Sequence, residues 1–298
     1  MSDETEIEKL RAELEETRRE LERHRAWVPP GHVLSPIPDR DQVKHRESEI
    51  YAVPRESAGL DLNEGGQLEL FDKLLAFYPD QPFKATRVDG LRYWFENPAY
   101  SYSDAILLYC MIRQLRPRRI VEVGAGYSSA AILDVNELFF EGSIRCTFIE
   151  PEPQLFLSLL KDDDADRITL LKTKLQEVPS EIFGELEEND ILFVDSSHVS
   201  KVDSDVNHIF FRILPLLKSG VHIHFHDIFY PFEYPLDWVY EGRAWNEAYL
   251  LRAFLQYNSQ FRIQLFNTFI DWFHKEKYFR EMPLVQKNTG GSIWIKKL

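Results

Sequence analysis

The chain has 298 residues, 44% of them hydrophobic, enough for one large core or for a domain with an appendage. Its formal net charge of −14 argues against nucleic acid or an anionic membrane as the main partner, because phosphate binding needs a basic footprint. The two cysteines, Cys110 and Cys146, lie in apolar segments and read as buried thiols in a reducing, cytoplasmic setting. No apolar run is long enough to span a bilayer, and the acidic, polar start does not read as a signal peptide.

Residues 4–27 are dense in charge and lack Gly and Pro. Ile7, Leu10, Leu14, Thr17, Leu21 and His24 follow alternating spacings of three and four, a heptad seam that predicts a short coiled-coil helix and self-association. Pro29-Pro30-Gly31 stops it. Residues 31–60 read as an irregular linker. Residues 68–78 carry helical spacing and form part of a small cap, and a strongly apolar helix covers 104–115. The expected organisation is an N-terminal coiled-coil helix (1–28), a linker and cap (29–100) and a main domain (101–298).

From residue 120 onward strands and helices alternate. Strands are predicted at 120–123, 145–149, 168–172, 191–194, 221–226, 261–267 and 292–296. The intervening helices include 128–138, 153–160, 203–217 and 245–256. The pattern implies an α/β fold with a mostly parallel seven-stranded sheet and helices on both faces. No helical period marks the connection between the last two strands, and this final pair is expected to be antiparallel.

The first of these strands ends in Glu122-Val123-Gly124-Ala125-Gly126-Tyr127-Ser128-Ser129. The glycines permit a tight turn and close approach to a ligand, and the helix that follows points its amide-rich N-terminus at it. Ser129 stands where a dinucleotide fingerprint has its third glycine, and Glu122 would repel a pyrophosphate but could hold a cationic amine. Glu150 ends the next strand, where a ribose diol would lie. Gln176, beyond the third strand, is a candidate near a nucleobase.

Two further strand ends carry chemistry. Asp195-Ser196-Ser197-His198 follows the fourth strand, and His226-Asp227 closes the fifth. Asp195, His226 and Asp227 can converge with His198, and two carboxylates with imidazole make a competent divalent-cation site. His222 and His224 share a strand face with His226; His222 reads as a buried structural histidine. The Lys161-Asp162-Asp163-Asp164 stretch reads as a solvated turn. The aromatic and polar residues of 229–235 and 240–247 suit either a sugar-like acceptor or a lid packing on itself. Arg92, Tyr93 and Tyr102 could approach the acceptor from the cap.

The Glu-x-Gly-x-Gly turn with Glu150 resembles motif I and the following acidic position of class I S-adenosylmethionine-dependent methyltransferases. These have a Rossmann-like sheet with an antiparallel ending. With Asp195, His198, His226 and Asp227 added, the chain is similar to metal-dependent O-methyltransferases of the catechol and macrolide-sugar types, within the broad methyltransferase-24 group. The resemblance implies a cofactor site of Glu122, Gly124, Ala125, Gly126, Tyr127, Ser128, Glu150, Gln176 and Asp195. It implies Mg2+ or Mn2+ held by Asp195, His226 and Asp227, with His226 departing from the usual carboxylate. Asp195 and His198 would be catalytic, His198 as general base toward a hydroxyl of a sugar or glycosylated natural product. Two other readings fit the same residues: a metal-independent O- or N-methyltransferase, and a non-catalytic assembly protein that keeps the cofactor fold and works through its coil.

Overall fold

The computed structural model describes residues 3–23 and 27–298, with side chains for 7–19 and 27–298. Of the predicted seam, His24 and the side chain of Leu21 lie outside the described residues. The chain divides into two compact units, Met1–Ile50 with Asp237–Ala244, and Tyr51–Leu236 with Trp245–Leu298. Residues 51–100, which hold the predicted cap, thus lie in the sheet-bearing unit.

The smaller unit contains α1 (Asp3–Arg23), α2 (Arg40–His45) and α3 (Glu47–Ile50). Ile7, Leu10 and Leu14 on α1 are all about half exposed, so the seam residues described here bury little in the single chain. The Asp39 carboxylate accepts from the Asp41 and Gln42 amides and starts α2 within the predicted irregular linker.

The larger unit begins with α4 (Glu64–Leu74) and α5 (Tyr102–Leu115). Eleven consecutive residues of α5, Tyr102 through Ile112, are buried. A helix apolar all round can be stable only inside a core, and each large side chain it buries contributes about 1.5–3 kcal/mol. The sheet strands are β1 (Arg119–Val123), β2 (Arg145–Ile149), β3 (Ile168–Leu171), β4 (Ile191–Val194), β5 (His222–His226), β6 (Phe261–Phe266) and β7 (Ser292–Lys297). They lie in the order β3-β2-β1-β4-β5-β7-β6. The first five are mutually parallel, and β7 runs antiparallel to both β5 and β6. The β-branched and aromatic runs of β1, β4 and β5 are almost wholly buried, as strands covered on both faces must be.

The connecting helices are α6 (Tyr127–Phe140), α7 (Gln154–Leu159), α8 (Glu181–Gly184), α9 (Asp205–His208), α11 (Glu247–Leu255) and α12 (Asn267–Glu281), while α10 (Leu236–Glu241) belongs, apart from Leu236, to the smaller unit. Two expectations need correction. The helix predicted over 203–217 is α9 continued by a π turn (Ile209–Ile213) and a 3-10 turn (Leu214–Leu216), with Pro215 blocking a regular α ladder. The last two strands are joined by α12, whose period is broken by non-helical backbone at His274, so no continuous helical stripe shows in the sequence.

The strand order reverses at β1, with β2 on one side and β4 on the other. That switch point is where open α/β sheets bind ligands, beyond the strands' carboxyl ends.

Candidate active site

The β1 exit is drawn tight by main-chain bonds to both neighbours. The Gly124 amide donates to the Ile149 carbonyl (3.0 Å), and the Asp195 amide donates to the Val123 carbonyl (2.9 Å). Gly124 has φ +85°, and a Cβ there would collide with the Asp195 carbonyl oxygen, so glycine is required on both counts. The Ala125 amide donates to Glu150 Oε2 (3.2 Å), and the Gly126 amide donates to Ser129 Oγ (3.0 Å). Ser129, which replaces the third fingerprint glycine, therefore helps start α6. The Tyr127 ring meets Trp94 edge-on at 5.3 Å.

Glu122 is fully buried beneath this turn. Its Oε1 accepts from Ser128 Oγ (2.5 Å), while Oε2 has no hydrogen-bond partner among the described residues. Burial pushes its carboxyl up to about 8, with Asp195 and Glu150 adding to the rise and Ser128 and Ser129 opposing it. A cavity of about 410 Å³ opens beside the turn, lined by Gly124, Glu150, Gln176, Asp195 and Ser204 among others. Gln176 Nε2 donates to the Asp203 carbonyl at its rim (2.5 Å).

Asp195 also belongs to a second grouping. One ligand atom from each of Asp195, His198 and Asp227 lies within 4.8 Å of the others. His198 Nε2 is 3.4 Å from Asp195 Oδ1 and 3.6 Å from Asp227 Oδ2, and its Nδ1 is 2.9 Å from Glu247 Oε2. Burial alone would lower the imidazole, but Asp195 and Glu247 outweigh it and raise it to about 10. Burial likewise opposes ionisation of Asp195, yet His226 and His198 hold its carboxyl below the ordinary value. Both His198 and Asp227 have left-handed backbone, φ +58° and +55°.

His226 meets this group only at its edge. Its Nε2 is 3.6 Å from Asp227 Oδ1, its Nδ1 has no partner among the described residues, and its ring lies 5.0 Å from that of Tyr100. Of the expected ligand set, Asp195 and Asp227 come together, with His198 rather than His226 as the imidazole between them. His224 is stacked on Phe193 (4.0 Å) and against Trp294 (4.8 Å), with neither ring nitrogen bonded among the described residues. His222 is buried as expected, and burial, with Lys296 nearby, pushes it down to about 3.

Several segments expected near an acceptor are committed elsewhere. Arg92 is buried in ion pairs with Asp134 and Asp164, the Tyr93 hydroxyl donates to the Tyr100 carbonyl, and that of Tyr102 donates to Glu96. Asp164, read as part of a solvated turn, is itself buried by its pairing with Arg92. Tyr230, Phe232 and Tyr234 are buried in the molecule's own core. Glu247 was expected only as the last of the 240–247 residues offered to an acceptor or a lid, not as a partner of His198. It opens α11 as an ordinary first-turn acid, and nothing local marks it as the partner of His198, 49 residues earlier.

The methyltransferase-24 family model, described as a methyltransferase domain, matches residues 121–228, the stretch from β1 to just past Asp227. An uncharacterized protein of Archaeoglobus fulgidus is 34% identical over 167 residues, which cover 54% of this chain and 74% of that protein. Residues 121–228 thus form a methyltransferase domain, and the chain is an S-adenosylmethionine-dependent methyltransferase. Among solved structures, the S-adenosylhomocysteine-bound methyltransferase PaMTH1 of Podospora anserina is similar at 14% identity and TM-score 0.45, over 92% of this chain and 99% of that one. The O-methyltransferase TomG of Streptomyces achromogenes, involved in tomaymycin synthesis and bound to S-adenosylmethionine, is similar at 16% identity and TM-score 0.42, over 86% and 96%. In this methyltransferase, no helix among the described residues is long and apolar enough to cross a membrane.

Proposed function

We propose that this methyltransferase is an O-methyltransferase for a hydroxyl of a sugar or glycosylated natural product, assisted by Mg2+ or Mn2+, with His198 as general base. The observation that carries the reading is the double position of Asp195, which lines the cavity beside Gly124 and Glu150 and also belongs to the cluster with His198 and Asp227. A methyl donor in that cavity and an acceptor at that cluster would meet across one residue, and in-line transfer requires such proximity.

The residues suit both groups. The unpartnered Oε2 of Glu122 can accept from the donor's ammonium, and Glu150 at the end of β2 can receive the ribose hydroxyls. Gln176 would face the adenine, and the Gly124–Ser128 turn would carry the amino-acid end. Asp195, Asp227 and Glu247 stand around the His198 imidazole, and Asp227, Asp195 and Asp104 act on His226, so carboxylates outnumber imidazoles at this cluster. A cation held by Asp195 and Asp227, with His226 beside Asp227, would polarise the acceptor hydroxyl and draw His198 down toward the range of a working base. His198 then takes the hydroxyl proton on Nε2, and its burial keeps water from competing. The sugar class rests on the resemblance at Asp195 and His226–Asp227; the aromatics of 229–235 do not support it, because they are spent in the core.

Calorimetry should detect S-adenosylhomocysteine binding, and Glu150→Ala should weaken it about tenfold, the loss of one or two good hydrogen bonds. No binding to the intact protein sinks the reading. In a panel of hydroxylated acceptors, EDTA should stop methyl transfer and Mn2+ should restore it; turnover indifferent to chelation would leave the cation-free mechanism. We also propose that α1 pairs with α1 of a second copy, supported by the exposed Ile7, Leu10 and Leu14 at heptad spacing.

A further inference from the structure

Glu247 is fully buried, although a carboxylate taken out of water costs several kcal/mol unless something answers it. The side chains that touch it among the described residues are the ring of His198, at 2.9 Å, and the Ser196 hydroxyl, which donates to it across 3.5 Å. The two residues before it close on the same loop. The amides of Asn246 and Glu247 both donate to the His198 carbonyl (3.0 and 3.2 Å). Asn246 Oδ1 accepts from the Ser200 amide (2.6 Å) while its Nδ2 donates to the Ser200 carbonyl (3.3 Å). The Trp245 ring lies 4.3 Å from the imidazole. Three consecutive residues leading into α11 therefore hold the main chain from the His198 carbonyl to Ser200, one face of the His198 ring, and one of its two nitrogens. Within this grip the His198 backbone is left-handed, φ +58°.

We propose that Glu247 is the positioning residue of the active site: it accepts Nδ1–H of His198 and leaves Nε2, facing Asp195 and Asp227, as the nitrogen that works on the acceptor. A histidine's two nitrogens are inequivalent, and the bond made by one decides what the other can do. Glu247 itself touches neither the cavity nor the Asp195–Asp227 gap, so it acts through the ring. The inference rests on the base role given above to His198.

The test uses the full-length chain labelled with 15N-histidine and observed by long-range 1H–15N NMR. The signal of His198 is identified by its disappearance in His198→Asn. The expected result is a downfield, exchange-protected Nδ1 proton on that residue. It should be lost in Glu247→Ala and move upfield in Glu247→Gln, whose neutral oxygen accepts more weakly. A proton unmoved by Glu247→Gln, or a His198 protonated on Nε2 alone, overturns the proposal. The glutamine variant decides the matter even if the alanine variant does not fold, and the 15N shift of Nε2, which reports whether that nitrogen is left free for the acceptor, is read in the same spectrum. Titration of the wild type with S-adenosylhomocysteine and with Mn2+ runs in parallel. Failure of those bindings refutes the functional reading while leaving the NMR result to judge Glu247 by itself.

Discussion

Two groups of buried charge stand within the sheet-bearing unit, and they are built on opposite terms. Around Arg92 nearly every polar atom is answered: Asp134 accepts from the Arg92 guanidinium and from the amides of Arg92 and Tyr93, and Asp164 accepts from the same guanidinium and from the Lys161 amide. Glu137 joins from the half-exposed edge, with Lys161 on its other side. Around Asp195 the carboxylates outnumber the cations, Glu122 keeps an idle oxygen, and His226 keeps an idle nitrogen. Saturated charge fastens the irregular segment around Arg92 to α6 and to the β2–β3 connection. Unsaturated charge holds a place for something the chain does not supply. Burial is common to both; hydrogen-bond closure separates them.

The strongest way to break that comparison is Arg92→Ala. Removing the cation from a buried network should cost about 3–5 kcal/mol, read as a lower urea midpoint with S-adenosylhomocysteine affinity kept in the folded fraction. A loss below about 1 kcal/mol would mean that the two groups are not different in kind. Next in size is Glu122→Gln. Because burial already raises this carboxyl to about 8, the amide should stabilise the ligand-free protein at pH 8 by a few kcal/mol, while S-adenosylhomocysteine binding weakens at least tenfold. Stability that falls in this variant would place Glu122 with the saturated group.

A pH series sharpens the contrast further. Between about 4.5 and 8 the native state holds a proton on Glu122 that the unfolded chain releases, so ligand-free stability should decline as pH rises through that window. His198 adds to the decline: its contribution is complete below the unfolded value near 6.5 and disappears as pH rises through about 10. A cationic amine at Glu122 reverses the first slope. S-adenosylhomocysteine should therefore bind more tightly at pH 8 than at pH 5, releasing up to one proton, which calorimetry in two buffers of different ionisation enthalpy will count. Uptake of a proton would reject the pairing. The smallest effect is expected outside both groups: deleting residues 1–27 should lower the mass seen by light scattering and leave the melting of the sheet-bearing unit unchanged.

Much of this was open to reading in the sequence, for a physical reason. Residues 120–123 and 191–194 are short, mostly apolar runs between turn signals, and a buried strand leaves that local trace. Glu122, Glu150, Asp195 and Asp227 were legible because they close strands, and the fold gathers strand ends. What escaped depends on distance along the chain. Arg92 finds Asp164 across 72 residues and Glu247 finds His198 across 49, and neither pairing has a local period. The kink at His274 hid α12 by dividing its apolar stripe. His198 and His226 each stand 3.6 Å from Asp227, the first from the left-handed loop after β4 and the second from β5, and strand alternation alone could place only the second.

The left-handed main chain at His198 and Asp227 has a consequence for how relatives can diverge. Beyond glycine, only asparagine, aspartate and histidine enter that region with any frequency, so each position offers a very short alphabet. At 227 an exchange of aspartate for asparagine would remove a charge without moving the backbone, whereas glutamate would have to distort the loop first. Drift in the electrical character of this centre is thereby channelled toward 195 and 226, where the main chain imposes no such filter.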